Sequence, residues 1–237
     1  MRMIHTSWAL LILLCTGLVS AEDVTVTARV ALRNTDGGRS PDAGNVVVWL
    51  MPANAPDPSF GDSMRRARLA QHNKSFEPHV VVVPVGSIVE FPNRDPFFHN
   101  VFSLFEGKRF DLGLYEAGTT RDVHFDKPGI SYIFCNIHPE MSAVVVAVET
   151  PYYGVSDQRG QIVIPNVPVG RYVLHVWYEA VLPETLSSLA RDVTISENTS
   201  TLGLLHLTEA ALPQSHKNLY GRDYDPPAPD NPVYEHP

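Results

Sequence analysis

The stretch Tyr132-Ile133-Phe134-Cys135-Asn136-Ile137-His138-Pro139-Glu140-Met141-Ser142-Ala143-Val144-Val145-Val146-Ala147-Val148 decides how the chain is read. Two runs of β-branched and aromatic residues, 132–134 and 143–148, flank a segment that begins on a cysteine and ends on a methionine. Apolar runs of this kind, separated by a proline-containing turn, read as two strands joined by a loop. Cys135, His138 and Met141 therefore place a thiol, an imidazole and a thioether in one short loop.

Outward from that loop, period-2 alternation and β-branched runs recur over 24–32, 45–50, 79–83, 88–91, 121–125, 130–134, 143–149 and 172–178. Turn signals separate them, among them Asp36-Gly37-Gly38, Pro84-Val85-Gly86, Lys127-Pro128-Gly129 and Val169-Gly170. Short strands at this spacing imply an all-β protein built as a sandwich. Helical signal is confined to 63–71 and 183–189.

The 237 residues, 44% of them hydrophobic, suffice for one large or two small domains with a real core. Residues 1–21 read as an export signal: Arg2 as the basic start, an apolar run over 9–19, and the small-residue cleavage site Val19-Ser20-Ala21. That apolar run is about half of the roughly 20 residues needed to span a bilayer. A cleaved leader and a periplasmic or secreted product are expected in place of a membrane anchor. Cys15 follows the bulky Leu14 where a lipid-attachment motif carries a small residue. No later stretch has spanning length, so no stable membrane insertion is expected. Eighteen basic against 26 acidic residues argue against a nucleic-acid partner, which needs a basic patch. The sequence carries no signal for an oligomeric state.

Cleavage leaves Cys135 as the one cysteine. In an oxidising compartment it has no internal disulfide partner, so it must be buried, reactive or bound to something. A thiolate, an imidazole and a thioether are a soft donor set that suits copper, and a trigonal His₂Cys plane with a weak axial Met is the blue-copper pattern. The second histidine must come from elsewhere. His99, in Asp95-Pro96-Phe97-Phe98-His99-Asn100-Val101-Phe102, supplies it from a turn that feeds a strand. The competing readings are a buried core thiol for Cys135 and simple core packing for Met141. A zinc site on the same Cys and two His is the inorganic alternative, but methionine is a poor zinc ligand. His72, His79, His124, His175, His206, His216 and His236 form no second set at ligand spacing.

Over residues 75–149 the chain resembles the cupredoxins, the type 1 blue-copper family. Within it the amicyanins are most similar, sharing the Cys-x-x-His-x-x-Met loop and an upstream Pro-x-His-Asn-Val-like context; plastocyanins carry a longer loop. The resemblance implies one type 1 copper held by His99, Cys135, His138 and Met141. It further implies that Asn100 ties the upstream loop to the ligand loop with its backbone amide near the Cys135 sulfur, and that His138 is the ligand nearest solvent.

Residues 154–177, a strand, an Asp157-Gln158-Arg159-Gly160 turn and a Pro168-Val169-Gly170-Arg171-Tyr172 hairpin, resemble the second half of carboxypeptidase regulatory-like (transthyretin-like) modules. Residues 24–52 read as the missing first half. A cupredoxin Greek-key β-sandwich over 56–151 is therefore expected to be inserted into a smaller β-sandwich made of 22–55 and 152–208. The alternative is that 24–50 extends the cupredoxin sheets and the C-terminal part is an appendage. The Pro-, Asp- and Tyr-rich tail, 209–237, is expected to run extended as solubilising chain; the other reading is a strap onto a partner or onto its own domain.

A complete His₂CysMet site leaves no open position for substrate, so the resemblance implies outer-sphere electron transfer to a redox partner protein, not an enzyme. Phe97, Phe98 and Pro139 would offer that partner an apolar docking surface. Copper carriage, or adhesion through the flanking sandwich, are the competing functions. An oxidase or nitrite reductase normally needs further histidine clusters, and no metallopeptidase motif accompanies the regulatory-like stretch.

Overall fold

The computed structural model describes residues 23–54, 65–104, 107–210 and 217–224. The expected leader and most of the tail lie outside the described residues. The chain is all-β. In chain order the strands are β1 (Asp23–Arg33), β2 (Val47–Pro52), β3 (Arg66–Arg68), β4 (Ala70–His72), β5 (Ser75–Glu77), β6 (Val80–Pro84), β7 (Ser87–Pro92), β8 (His99–Ser103) and β9 (Phe110–Tyr115). They continue with β10 (Thr120–Phe125), β11 (Gly129–Phe134), β12 (Ser142–Val148), β13 (Tyr153–Val155), β14 (Gln161–Pro168), β15 (Gly170–Trp177), β16 (Arg191–Ile195) and β17 (Thr201–Thr208). One short helix, α1 (Pro183–Ser188), falls where the sequence signals it, with proline at its start.

The five-stranded sheet β6-β12-β11-β8-β9 lies at the centre. Its strands β6 and β12 read Val80-Val81-Val82-Val83 and Ala143-Val144-Val145-Val146-Ala147-Val148 without polar alternation. A strand is apolar throughout when both of its faces are covered. Val80, Val82, Val144, Val146 and Val148 enter one core, while Val81, Val83, Ala143, Val145 and Ala147 enter a second. Beyond the second core lies the sheet β10-β7-β3, which contributes Val89, Phe91, Val123 and Phe125. Beyond the first lie β14-β1-β17 and β13-β2-β15-β16, which contribute Val26, Leu32, Leu50, Ile164 and Leu174.

Residues 23–52 pair only with the C-terminal strands among the described pairings. β1 runs antiparallel to β14 and parallel to β17. β2 lies between β13 and β15, with Met51 opposite Val173 and Val47 opposite Trp177. Gly160, at φ 76, lets the turn before β14 approach β1 closely; a Cβ there would meet the Val30 carbonyl at 2.5 Å.

The helix expected over 63–71 does not form in its described part, where β3 and β4 are strands. Leu69 is fully buried and Ala67 packs against the second core, while Arg66 and Arg68 turn outward to Glu90 of β7 at 2.9 Å each. Pairing with β7 outweighs a local helical preference of a few tenths of a kcal/mol per residue. Residues 217–224 do not run extended. They form a closed turn whose backbone bonds join Asn218 to Arg222 at 2.8 Å and Gly221 to Asn218 at 2.9 Å.

Candidate metal centre

Three elements of the central sheet converge at one end. β8 starts on His99, β11 ends on Phe134 immediately before Cys135, and the loop 135–141 returns the chain to β12. The loop closes on itself through Met141 N–H to the His138 carbonyl at 3.0 Å and Cys135 N–H to the Met141 carbonyl at 3.3 Å. Pairing of Phe134 with Phe102 of β8 fixes the two strands side by side.

The result is a triangle of donors. Cys135 Sγ lies 3.6 Å from His99 Nδ1 and 3.5 Å from His138 Nδ1, and the three ligand atoms are all within 4.8 Å of one another. An ion about 2.0 Å from nitrogen and about 2.3 Å from sulfur holds such a nitrogen and sulfur about 3.5–3.7 Å apart at tetrahedral to trigonal angles. The spacing fits a first-row metal, and the soft thiolate with two imidazoles fits copper. It is the one such cluster among the described residues.

Cys135 and His99 are fully buried, and His138 is partly exposed. Burial pushes the Cys135 thiol up, against the backbone N–H groups of Ile137, Asn100 and His138, which are directed at the sulfur and favour the thiolate. Burial pushes His138 down to about 4, helped by His99 and Lys74 and opposed by Asp95. His99 is lowered by burial too, against the pull of Asp95. Both imidazoles are thus neutral near pH 7 and have lone pairs to give.

Met141 is fully buried in the second core, with its backbone closing the loop as described. The Asn100 backbone amide meets the sulfur, yet its side chain does not reach the ligand loop. Asn100 Nδ2 donates to Asp111 Oδ1 of β9 at 2.8 Å, and Asn100 Oδ1 has no partner among the described residues. Phe97 sits against both histidine rings, 5.2 Å from His99 and 5.7 Å from His138 between centroids, and Lys74 Nζ lies 5.7 Å over its face. Phe98 is 54% exposed, and Pro139 is exposed beside His138. His79, outside the cluster, is engaged with Glu179 Oε2 at 2.6 Å.

Sequence reasoning missed Asp95. Its Oδ2 accepts from His99 Nε2 at 2.8 Å, and the carboxylate also accepts the N–H groups of Asn73 at 2.6 Å and Lys74 at 3.0 Å. Burial works against the charged form, but those donors outweigh it and hold Asp95 below its ordinary value. With the proton on Nε2, His99 presents Nδ1 toward the sulfur. Asn93 shapes the turn that carries Asp95: its Oδ1 accepts from Asp95 N–H at 3.0 Å and its Nδ2 donates to the Phe97 carbonyl at 2.8 Å. The available signal was an aspartate four residues before the ligand, in a turn also holding proline.

No family model and no curated protein matches the chain. Among solved structures, 36% of the chain is similar to a copper-containing nitrite reductase (NirK) from Thermus scotoductus SA-01, at 27% identity and a TM-score of 0.34. The chain spans 23% of that reductase's length. A further match, over 35% of the chain and 99% of the other, is a purple cupredoxin from Nitrosopumilus maritimus, at 22% identity and a TM-score of 0.32. A copper(I) form of amicyanin matches over 43% of the chain and 98% of its own, at 18% identity and a TM-score of 0.33.

Proposed function

We propose that this chain is a periplasmic or secreted type 1 copper protein that carries out outer-sphere one-electron transfer. The His99–Cys135–His138 triangle, buried at His99 and Cys135 and with three backbone N–H groups on its sulfur, is the observation that carries the reading. Copper would be held by those three residues together with Met141, and it would supply a Cu(II)/Cu(I) couple.

The chain's own residues do the rest. Asp95 keeps the His99 proton on Nε2 and so keeps Nδ1 available. The three amides stabilise the Cys135 thiolate without a counter-charge that moves. Burial of His99 and Cys135 keeps water from that side of the site, so the protein around it would reorganise little on electron transfer. The partly exposed edge of His138, against Phe97 and next to Pro139, with the exposed Phe98 adjoining Phe97 in the chain, is the proposed route to a redox partner protein.

The proposed organisation follows the pairings. Residues 22–55 and 152–208 make a regulatory-like β-sandwich into which the copper unit, 56–151, is inserted, after a cleaved leader over 1–21. No helix among the described residues is long and apolar enough to cross a membrane.

Cyclic voltammetry of the copper-loaded protein tests the reading. Reversible one-electron waves with retention of metal support electron transfer, whereas transfer of copper to an apo-acceptor on mixing supports carriage. Phe98→Asp is expected to slow exchange with the partner without altering the site's spectrum; an unchanged rate argues against that docking face.

A further inference from the structure

The turn at 217–224 is self-contained. Asn218 Oδ1 accepts the N–H groups of Tyr220 at 2.9 Å and Arg222 at 3.0 Å, Gly221 takes the positive φ of 73, and Lys217 pairs with Asp223. This preformed turn is docked at two points on the ligand loop. Leu219 N–H donates to Asn136 Oδ1 at 2.8 Å, and Tyr224 Oη donates to the Cys135 carbonyl at 2.8 Å.

The placement matters because of where β11 ends. Phe134 is the last paired residue of that strand, so Cys135 lies just beyond the sheet's backbone ladder. Two backbone bonds within the loop hold it from inside, and the one on Cys135 is long at 3.3 Å. Tyr224 and Leu219 add two bonds from outside, on the ligand cysteine and on its neighbour. Three of the four proposed ligands lie on this loop, so its rigidity is the rigidity of the site.

We propose that residues 217–224 are a clamp on the ligand loop, with Tyr224 as a positioning residue for the Cys135 thiolate. The Tyr224 hydroxyl fixes the Cys135 carbonyl and thereby the direction of the Cα–Cβ–Sγ bonds, and it places a donor hydrogen on the backbone of the cysteine that carries the sulfur. Its redox consequence rests on the copper reading above; its mechanical consequence does not.

Three full-length proteins test it: wild type, Tyr224→Phe, and Tyr224→Phe combined with Asn136→Ala. Tyr224→Phe keeps the ring and removes only the donor. In the metal-free proteins, amide hydrogen exchange over 136–141 is expected to quicken about ten-fold in Tyr224→Phe and further in the double variant. Exchange in β1 and β15 stays at the wild-type rate. In the copper-loaded proteins, Tyr224→Phe is expected to lower the reduction potential and to hasten Cu(I) loss to a bicinchoninate chelator about ten-fold. Unchanged exchange over 136–141 overturns the clamp. Faster exchange with an unaltered potential and visible spectrum overturns the positioning role of Tyr224. A wild type that takes up no copper sinks the copper reading, and the exchange measurement alone then decides the clamp.

Discussion

Asp95 Oδ2 accepts a hydrogen bond from His99 Nε2 at 2.8 Å, with the imidazole wholly buried and the aspartate 4% exposed. Among the described residues its other donors are the backbone amides of Asn73 and Lys74, which sit at positive φ in the turn between β4 and β5. A buried anion on the outer nitrogen of a ligand imidazole makes its inner nitrogen a better donor and favours the more highly charged metal.

Asp95→Asn is therefore expected to weaken copper binding by about 10–100-fold and to raise the reduction potential. An asparagine side chain has one carbonyl oxygen for three donors, so a stability loss of about 1–3 kcal/mol should accompany it. Competition with a Cu(I) chelator, voltammetry and a melting curve read the three effects. An unchanged potential would mean that Asp95 only shapes the turn.

The His79–Glu179 pair ties the strand β6 to the end of β15 at 2.6 Å. His79 is raised above 6.5, chiefly by its hydrogen bond to Glu179 and against desolvation, and it also gains from the backbone of Ser142. A raised histidine stabilises the fold fully below its unfolded value of 6.5, and the gain is lost as pH climbs through the folded value. Both side chains are more than a third exposed, so the pair contributes only about 0.2–1 kcal/mol. His79→Ala should lower the melting temperature at pH 5.5 and converge on wild type at pH 9. A gap that widens with pH contradicts the assignment.

β12 presents Val145 to one core and Val146 to the other. Each valine truncated to alanine removes two buried methyl groups and should cost about 2 kcal/mol. A sheet shared between the cores predicts that both variants lower a single cooperative thermal transition. Two separated transitions, one moved by each variant, would show that the cores unfold independently.

Much of this architecture is legible in the sequence because burial leaves a plain mark. The apolar runs at 79–83 and 143–149 read as strands, and the cysteine between 132–134 and 143–148 marked a loop with chemistry; that both faces of those strands are covered emerges only from the two cores. The strand expected over 45–50 appears two residues later, since Asn45 takes a φ of 65 in the preceding turn. β3 and β4 were read as helix because arginine and alanine favour helix locally, while the pairing with Glu90 that overrides this is long-range. Asp95 was hidden for the same kind of reason: a turn aspartate is ordinary until Asn73 and Lys74 are brought to it. Tyr224 lies 89 positions from Cys135, and nothing local announces their contact.

We propose that Cys135 binds copper as a thiolate beside His99 and His138. The visible and EPR spectra of residues 22–237 loaded with Cu(II), recorded beside Cys135→Ala, test it most directly. An intense thiolate-to-copper absorption in the visible, with the narrow copper hyperfine splitting of a thiolate site, should be present in wild type and absent from Cys135→Ala. A colourless wild-type protein, or one whose colour survives the loss of Cys135, contradicts the claim.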